Sequence, residues 1–552
     1  MSLDTDTDVR VSHEVLRNGE PESLSSFSQF RDVLLPLPTR DDGYQTVLLL
    51  GTTGAGKTTV VRQLLGTKPK TERFPSTSTA KTTVADTEII TTDNDAFSSV
   101  VTFIPRDEVA ELLRENACAA ALAAVSGRDD NDLTRRLLDH VNQRFRFSYV
   151  LGRPPATDDD DLLDDDIEDE EEIDPDDYGF VDIRESMNVV SSAVRSLRSI
   201  SADCEKEMRA HFVGFSDDPA ELDDYIEENL DSYVREHNDF ENIIEILIAQ
   251  LEKRFDSIPV GYIRRGDDGW PITWFWETKD RADFLQKVTR FSSNHALLFG
   301  RLLTPLVNGI RVGGPFKSDW YPESLRLVLI DGEGLGHTPS SIGSLSTSTA
   351  RLLDEVDRVL LVDNAKQPMQ AAPVAALKEM AISGNVSKLH VVFTHFDQVR
   401  GANLRTVRDS ENHVWASVEN VLDSIGAELG NSARRALDDQ MREHRYFVGG
   451  IDKVLRSNGR KLDIRTIGQF SSLLDELSRW GESCEGLDGV PTYKRSNLEV
   501  AIKLAAEEFH RKWKSCFGLE PLPQYPPVRW TRIKALSRTL KVGRTNTAIS
   551  SR

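Results

Sequence analysis

Residues 51–58 read Gly51-Thr52-Thr53-Gly54-Ala55-Gly56-Lys57-Thr58 and directly follow the apolar run Thr46-Val47-Leu48-Leu49-Leu50. They match the phosphate-loop pattern G-x-x-x-x-G-K-S/T, and apolar residues recur at helical spacing over residues 60–65. This order predicts a buried strand, a glycine-rich loop and a helix. The glycines let backbone N–H groups approach a phosphate closely, and the helix N-terminus stabilises its charge. We therefore expect a nucleoside triphosphate to bind here.

The side chains of this loop have separate expected roles. Lys57 would bridge the β- and γ-phosphates as a point charge, and the hydroxyl of Thr58 would ligate Mg²⁺. The other phosphate contacts are expected from backbone N–H groups. The residues predicted to contact the phosphates are Gly51, Thr53, Gly54, Ala55, Gly56, Lys57, Thr58 and Thr59.

A second strand-and-loop motif lies far along the chain. The apolar run over residues 327–330 ends in Asp331-Gly332-Glu333-Gly334. An aspartate delivered by a strand to the phosphate end of the sheet would hold Mg²⁺ through water, and the N–H of Gly334 would contact the γ-phosphate. Loss of that phosphate would release the loop that follows, which is the usual switch in such proteins.

A third motif, Thr394-His395-Phe396-Asp397, follows the apolar run over residues 389–393. The carboxylate of Asp397 can accept hydrogen bonds from guanine N1–H and N2–H₂, and adenine lacks both donors. A buried acceptor left unpaired costs about 1–3 kcal/mol, so Asp397 is expected to select GTP over ATP.

These motifs resemble those of the translation-factor-related (TRAFAC) class of P-loop GTPases, in which five short motifs follow one another in this order. The stretch Asp331-Gly332-Glu333-Gly334-Leu335-Gly336 is similar to the D-T-E-G-L-G of guanylate-binding proteins, in the dynamin-like branch. The Thr394-His395 pair is more similar to the chloroplast-import and immune-associated GTPases. The resemblance covers residues 44–105 and 321–480 and leaves the branch open.

The resemblance implies further site residues. The second motif should supply one switch threonine that ligates Mg²⁺; Thr79 is the first choice and Thr82 the reserve. Thr394 and His395 are expected beside the base, with His395 in the place of the usual lysine and with less reach. Gly449 stands where the backbone of the fifth motif would meet the base.

Catalysis is only partly indicated by the sequence. Leu335 stands where Ras-type enzymes place a glutamine, and Gly54 stands where guanylate-binding proteins place an arginine. The predicted catalytic residues are Glu333 and His337, which could orient the water, and Thr79. Backbone carbonyls are a third group that could orient the water. Either an arginine comes from the insertion or a second subunit, or hydrolysis is slow.

The alternation of strands and helices predicts the α/β class, with a doubly wound, mostly parallel sheet covered on both faces. We predict four parts along the chain. They are a polar leader with a short helix (1–40), a P-loop GTPase domain (41–105 and 321–480), a large, mainly helical insertion (106–320) and a C-terminal helix with a basic tail (481–552).

Charge is distributed unevenly along the chain. The formal net charge is −23, and residues 158–177 contain fifteen carboxylates with no lysine or arginine. We predict that the acidic run over 157–178 is a disordered, self-repelling loop. After Glu520 the chain is basic and has apolar residues at helical spacing. This tail could dock on the protein itself, bind anionic lipid or contact nucleic acid.

Composition bears on compartment and partners. The chain has no run of 18 apolar residues, and its acidic, polar N-terminus does not resemble a secretory signal. Four cysteines lie far apart, as expected of free thiols in the cytoplasm. We expect GTP or GDP as ligand, a homodimer through the nucleotide face and an effector that binds the insertion. A P-loop ATPase, a kinase and a nucleotide-binding scaffold without hydrolysis stay open.

Overall fold

A computed structural model gives the structure of most of the chain. The residues that the structure describes are 27–52, 54–68, 72, 74–75, 86–140, 145–152, 181–212, 219–332, 347–401, 403–479, 506 and 509–516. Among these residues, no helix is both long enough and apolar enough to cross a bilayer. The predicted acidic loop over 157–178 lies outside the described residues, as does the basic tail after Glu520.

The strands of the described part of the chain form one mixed sheet of ten. They are β1 Gln45–Gly51, β2 Asp86–Thr91, β3 Phe97–Phe103, β4 Tyr262–Arg265, β5 Pro271–Thr278, β6 Val307–Gly314, β7 Leu327–Asp331, β8 Arg358–Asn364, β9 Leu389–Thr394 and β10 Arg445–Phe447. Their spatial order is β10-β9-β8-β1-β7-β2-β6-β3-β5-β4. The predicted α/β class is therefore confirmed.

Helices cover both faces of this sheet. They are α1 Phe27–Leu34, α2 Lys57–Leu65, α3 Arg106–Val125, α4 Asp130–Leu138, α5 Ser148–Leu151, α6 Ile183–Phe212, α7 Pro219–Glu236, α8 Phe240–Asp256, α9 Arg281–Ser292, α10 Thr347–Glu355, α11 Ala371–Ser383, α12 Val407–Leu429, α13 Asn431–Glu443 and α14 Lys461–Ser478. The apolar side chains of α2, α3, α6–α9 and α14 share one core, and those of α10–α13 share another.

The centre of strand β1, residues 47–50, is apolar because the strand is buried on both faces. Val47 and Leu49 belong to the core under α2, whereas Leu48 and Leu50 belong to the core under α11. All four side chains are at most 2% exposed. A continuous apolar run is what a strand covered on both faces requires, which explains why the sequence pattern predicts this element correctly.

The carboxyl ends of several strands meet at one edge of the sheet. Strand β1 pairs in parallel with β7 on one side and with β8 on the other, and β9 and β10 continue the parallel order. Strands β7 and β8 thus lie on opposite sides of β1. In open α/β sheets, ligands bind outside the carboxyl ends of the strands where the strand order reverses. That point lies at the end of β1.

The region over residues 106–320, predicted as a mainly helical insertion, contains strands of the main sheet as well as helices. Helices are present, and so is a hairpin formed by β4 and β5. However, β4, β5 and β6 all belong to the same sheet as β1, and the helices share a core with that sheet. The expected boundary at residue 320 falls between two strands of one sheet, so the region extends the sheet and is not a separate helical body.

Strand β6 was missed because its composition is unusual for a strand. It contains three glycines and a buried arginine, Arg311, and glycine is depleted in strands. The glycine at 309 has a steric reason: a Cβ there would lie 2.4 Å from the guanidinium of Arg31 on α1. Arg31 and Arg311 both contact the carboxylate of Glu88 on β2, at 3.2 and 2.6 Å. Helix α1 is therefore held on the sheet by buried ion pairs.

One buried histidine is expected to make the fold sensitive to acid. His390 on β9 is 2% exposed, its Nδ1 has no hydrogen-bond partner among the described residues, and its ring centroid lies 4.7 Å from that of His444. Burial, followed by the influence of His444 and Arg358, lowers the pKa of His390 to about 3. The folded protein therefore keeps this imidazole neutral.

The sign of the pH effect follows from the lowered pKa. Between about pH 6.5 and 3 the unfolded chain binds a proton at His390 that the folded chain does not, so the free energy of unfolding falls as pH falls. His390 is expected to account for a loss of about 1.4 kcal/mol in the free energy of unfolding per pH unit, and His390→Phe should remove this contribution. Urea unfolding at pH 7.0 and 5.5 measures it. Equal losses in the variant and the wild type would contradict the prediction.

Candidate functional site

The phosphate loop joins the end of β1 to the start of α2. Gly54 and Gly56 have φ angles of +76° and +85°, in the left-handed region that favours glycine. Such turns orient successive backbone N–H groups into a concave anion-binding nest. Thr53 lies outside the described residues. The strand, loop and helix that the sequence predicts are therefore present, and two glycines of the loop adopt the left-handed conformation that an anion-binding nest uses.

Close contacts explain two of the loop glycines. A Cβ on Gly51 would lie 2.6 Å from the carbonyl oxygen of Val362, its partner on β8. A Cβ on Gly56 would lie 3.3 Å from the Thr394 side chain, in addition to the strain of its positive φ. Larger residues at either position would push the loop away from the strand ends, so the glycines place the loop directly on the edge of the sheet.

Lys57 and Asp331 come together at this edge. Lys57 is the first residue of α2, and Asp331 is the last residue of β7, paired in register with Leu49. The Nζ of Lys57 lies 2.9 Å from Oδ1 of Asp331 and donates a hydrogen bond of 2.6 Å to the carbonyl oxygen of Gly332. Their side chains are 6% and 1% exposed. Two predicted residues that are 274 positions apart in sequence are thus in direct contact.

The donors near this pair suit a hard divalent cation. Oδ1 of Asp331 is buried and accepts no hydrogen bond from the described residues, although the Nζ of Lys57 lies 2.9 Å away. Thr58 and Thr59 follow Lys57 in the first turn of α2 and are half-buried. Carboxylate and hydroxyl oxygens are ligands that Mg²⁺ takes in proteins. The available donor set therefore fits Mg²⁺.

Thr394 connects the end of β9 to the phosphate loop. Its side chain is fully buried, and its Oγ1 donates a hydrogen bond of 2.5 Å to the carbonyl oxygen of Ala55. The sequence predicts that this threonine lies beside the guanine base. The structure shows a second effect, because the same side chain ties the segment that carries Asp397 to the phosphate loop.

Asp397 is held in place by the loop that follows β10. One carboxylate oxygen, Oδ1, accepts a hydrogen bond of 3.0 Å from the N–H of Gly450. A Cβ on Gly449 would lie 2.7 Å from the same oxygen, so glycine is needed there. Oδ2 accepts no hydrogen bond from the described residues, and the Asp397 side chain is half-buried. The carboxylate thus has one anchored oxygen and one oxygen available for a ligand.

His395 adopts a left-handed conformation, with φ at 53°. Histidine is among the non-glycine residues enriched in that region. The next residue is Phe396, and its N–H donates a hydrogen bond of 3.1 Å to the carbonyl oxygen of Val448. His395 therefore shapes the turn before Asp397, and its side chain is half-buried. Its expected position beside the base stays a prediction.

Several predicted site residues lie outside the described part of the chain. The proposed Mg²⁺ ligand and catalytic residue Thr79, its alternative Thr82, the γ-phosphate contact Gly334 and the catalytic candidates Glu333 and His337 are all in this group. Their roles stay predictions. The described residues bring together Gly51, Gly54, Ala55, Gly56, Lys57, Asp331, Thr394, Asp397 and Gly449 around one edge of the sheet.

One carboxylate at this edge was missed. Asp363, near the end of β8, is 1% exposed, and its Oδ2 accepts a hydrogen bond of 2.7 Å from the N–H of Met369. Burial raises the pKa of Asp363 to about 6, although backbone hydrogen bonds oppose the shift. The sequence does contain a signal, because an acid directly after the apolar run 359–362 repeats the pattern that indicates Asp331.

Comparison with known proteins gives distant structural matches. No family model matches the sequence, and no curated protein matches it. Two solved chains are similar to this chain, at 12% and 13% identity and with TM-scores of 0.35 and 0.32. Both are described as belonging to an oligomerised bacterial dynamin pair that provides a mechanism for the long-range sensing and tethering of membranes. The matches cover all of this chain but 53% and 60% of those chains. At these values the similarity does not establish the fold or function of this chain.

Proposed function

We propose that the chain binds GTP with Mg²⁺ on a doubly wound P-loop domain and hydrolyses it to GDP and phosphate. The contact between Lys57 and Asp331 supports the proposal, because a lysine and a carboxylate are the groups that bind phosphate and Mg²⁺ in phosphate-loop proteins, and here they meet at the edge of the sheet where β7 ends. Both groups lie where the strand order reverses, which is the expected ligand position in such sheets. The glycine-rich loop supplies the backbone donors.

The roles of the residues follow from their positions. Lys57 neutralises charge on the β- and γ-phosphates, and the backbone of residues 54–57 donates to them. Thr58 and Asp331 would hold Mg²⁺, with Thr79 as the proposed third contributor, and the ion would supply positive charge next to the β- and γ-phosphates. Asp397 accepts from the guanine ring through the oxygen that Gly450 leaves available. Glu333 and His337 are proposed to orient the water.

Phosphate release tests the enzymatic part of the proposal. Purified protein is incubated with GTP or ATP at millimolar Mg²⁺, with and without a chelator, and phosphate is measured over time. We expect release from GTP that depends on Mg²⁺ and little release from ATP. Equal release from both nucleotides would favour a P-loop ATPase. Tight GTP binding without release would favour a nucleotide-binding scaffold, which is the second candidate function.

We also propose that two copies associate through their nucleotide faces when GTP is bound. Leu335 and Gly54 replace the glutamine and arginine that related enzymes use. Gly54 is exposed, and a Cβ placed on it would meet no described atom within 4 Å. This position is therefore open to a catalytic group from a second subunit.

Concentration dependence measures this association. Turnover per subunit is expected to rise with protein concentration, and size-exclusion chromatography with a non-hydrolysable GTP analogue should show a dimer that GDP does not support. Constant turnover per subunit, together with a monomer in the presence of the analogue, would contradict this part of the proposal. Arginine would then have to come from the same chain, or hydrolysis would be slow.

A further inference from the structure

A glutamine on the phosphate-loop helix reaches across to the base side of the site. Gln63 lies on α2, six residues after Lys57, and is 5% exposed. Its Nε2 donates hydrogen bonds of 2.7 and 2.9 Å to the carbonyl oxygens of Ile451 and Lys453. One side-chain amide thus satisfies two backbone acceptors in the loop between β10 and α14.

The loop that Gln63 holds is also the loop that positions Asp397. The N–H of Gly450 donates to Oδ1 of Asp397, and Gly449 packs against the same carboxylate. Thr466 on α14 fixes Gly449 from the other side, since its hydroxyl donates to the Gly449 carbonyl at 2.9 Å and accepts from the Gly449 N–H at 3.2 Å. The loop therefore lies between α2 and α14, with the Asp397 carboxylate in contact with it.

We infer that Gln63 is a positioning residue for purine recognition: it couples the helix that begins at Lys57 to the loop that orients the Asp397 carboxylate. The inference rests on the proposed function. Without the amide, two carbonyls lose their donor and the loop can shift, and small misplacements are costly where recognition depends on two directed hydrogen bonds. Gln63 contacts neither phosphate nor base in this account, so its effect is on discrimination between bases.

Inosine triphosphate makes the test specific. It retains the N1–H of guanine and the same triphosphate but lacks the N2 amino group, so the ratio of its Kd to that of GTP reports how well Asp397 meets the second donor. In the wild type this ratio is expected to be about 10, because the loss of one hydrogen bond lowers affinity about tenfold. Gln63→Met keeps the size of the side chain but removes the donor, and the ratio is expected to fall about fivefold.

Gln440 provides a matched control. It lies on α13, and its Nε2 also donates to two backbone carbonyls, those of Leu389 at 2.9 Å and Ser387 at 3.3 Å, at the opposite end of β9. Gln440→Met therefore removes the same kind of contact away from the proposed nucleotide. We expect this variant to keep the wild-type ratio, although its thermal stability falls as that of Gln63→Met does.

The outcomes separate the inference from the proposed function. A lowered ratio in Gln63→Met with a wild-type ratio in Gln440→Met supports the inference. Suppose that the wild type prefers GTP to inosine triphosphate. An unchanged ratio in Gln63→Met, or an equal fall of the ratio in both variants, then overturns the inference but not the proposed function. A wild type that binds neither nucleotide overturns both. If Gln63→Met does not fold, Gln63→Ala removes the same donor and admits water to the carbonyls, and the same ratio decides.

Discussion

Lys57→Ala is expected to abolish nucleotide binding at micromolar concentrations. The side chain is the one cation that the described part of the site places beside Asp331 at the phosphate end of the sheet. Charge-assisted hydrogen bonds to phosphate are worth about 1.5–3 kcal/mol each, so the loss of contacts to two phosphates should raise the Kd of GTP more than a hundredfold. ATP binding should fall by a similar factor, because the triphosphate is common to both nucleotides.

The measurement is fluorescence binding of a labelled GTP analogue. Lys461→Ala, which removes an exposed cation from the first turn of α14, is the control and should bind as the wild type does. Removal of Lys57 leaves Asp331 buried without its cation, at a cost of about 3–5 kcal/mol in stability. Circular dichroism and an unfolding curve must therefore show that the variant is folded. Binding within threefold of the wild type by a folded variant would refute the assigned role.

Asp397→Asn should have the second large effect, on the choice of base. In this variant Oδ1 can still accept from the Gly450 N–H, so the loop stays in place, but an NH₂ group replaces the available oxygen. Guanine would then face a donor where it needs an acceptor. We expect GTP affinity to fall about 10- to 100-fold and ATP affinity to change little, which removes the preference for GTP.

Competition binding with GTP, ATP and xanthosine triphosphate checks this prediction. Xanthine has a carbonyl in place of the N2 amino group, so it should bind the variant better than GTP does. Asp452→Asn, an exposed acid in the loop after β10, is the control for the change in charge. An unchanged ratio of GTP to ATP affinity in Asp397→Asn would show that another residue selects the base.

The sequence predicts the part of the site that is encoded locally. The phosphate loop follows β1, Asp331 is the last residue of β7, and Asp397 lies three residues after β9, so residue type and spacing relative to apolar strands are sufficient to identify them. Parallel pairing then brings the carboxyl ends of β1, β7 and β9 to one edge. The contact between Lys57 and Asp331 follows from that topology once both strands are recognised.

Other features depend on contacts that no local pattern contains. The hydrogen bond from Gln63 to Ile451 spans 388 residues, and a glutamine on a helix ordinarily indicates only a solvent-facing position. Strand β6 has a glycine at 309 because Arg31 packs against it, and Arg31 lies on a helix 278 residues earlier in the chain. The predicted boundary at residue 320 was placed by the helical pattern before it, whereas the sheet continues across it.

Isothermal titration calorimetry of the full chain tests the central claim most directly. GTP and ATP are titrated separately at millimolar Mg²⁺, and each titration is repeated with Lys57→Ala. The account predicts heat that saturates at one GTP per subunit, weaker or absent heat with ATP, and no heat with the variant. If neither triphosphate gives heat with the folded wild type, this edge of the sheet is not a nucleotide-binding site.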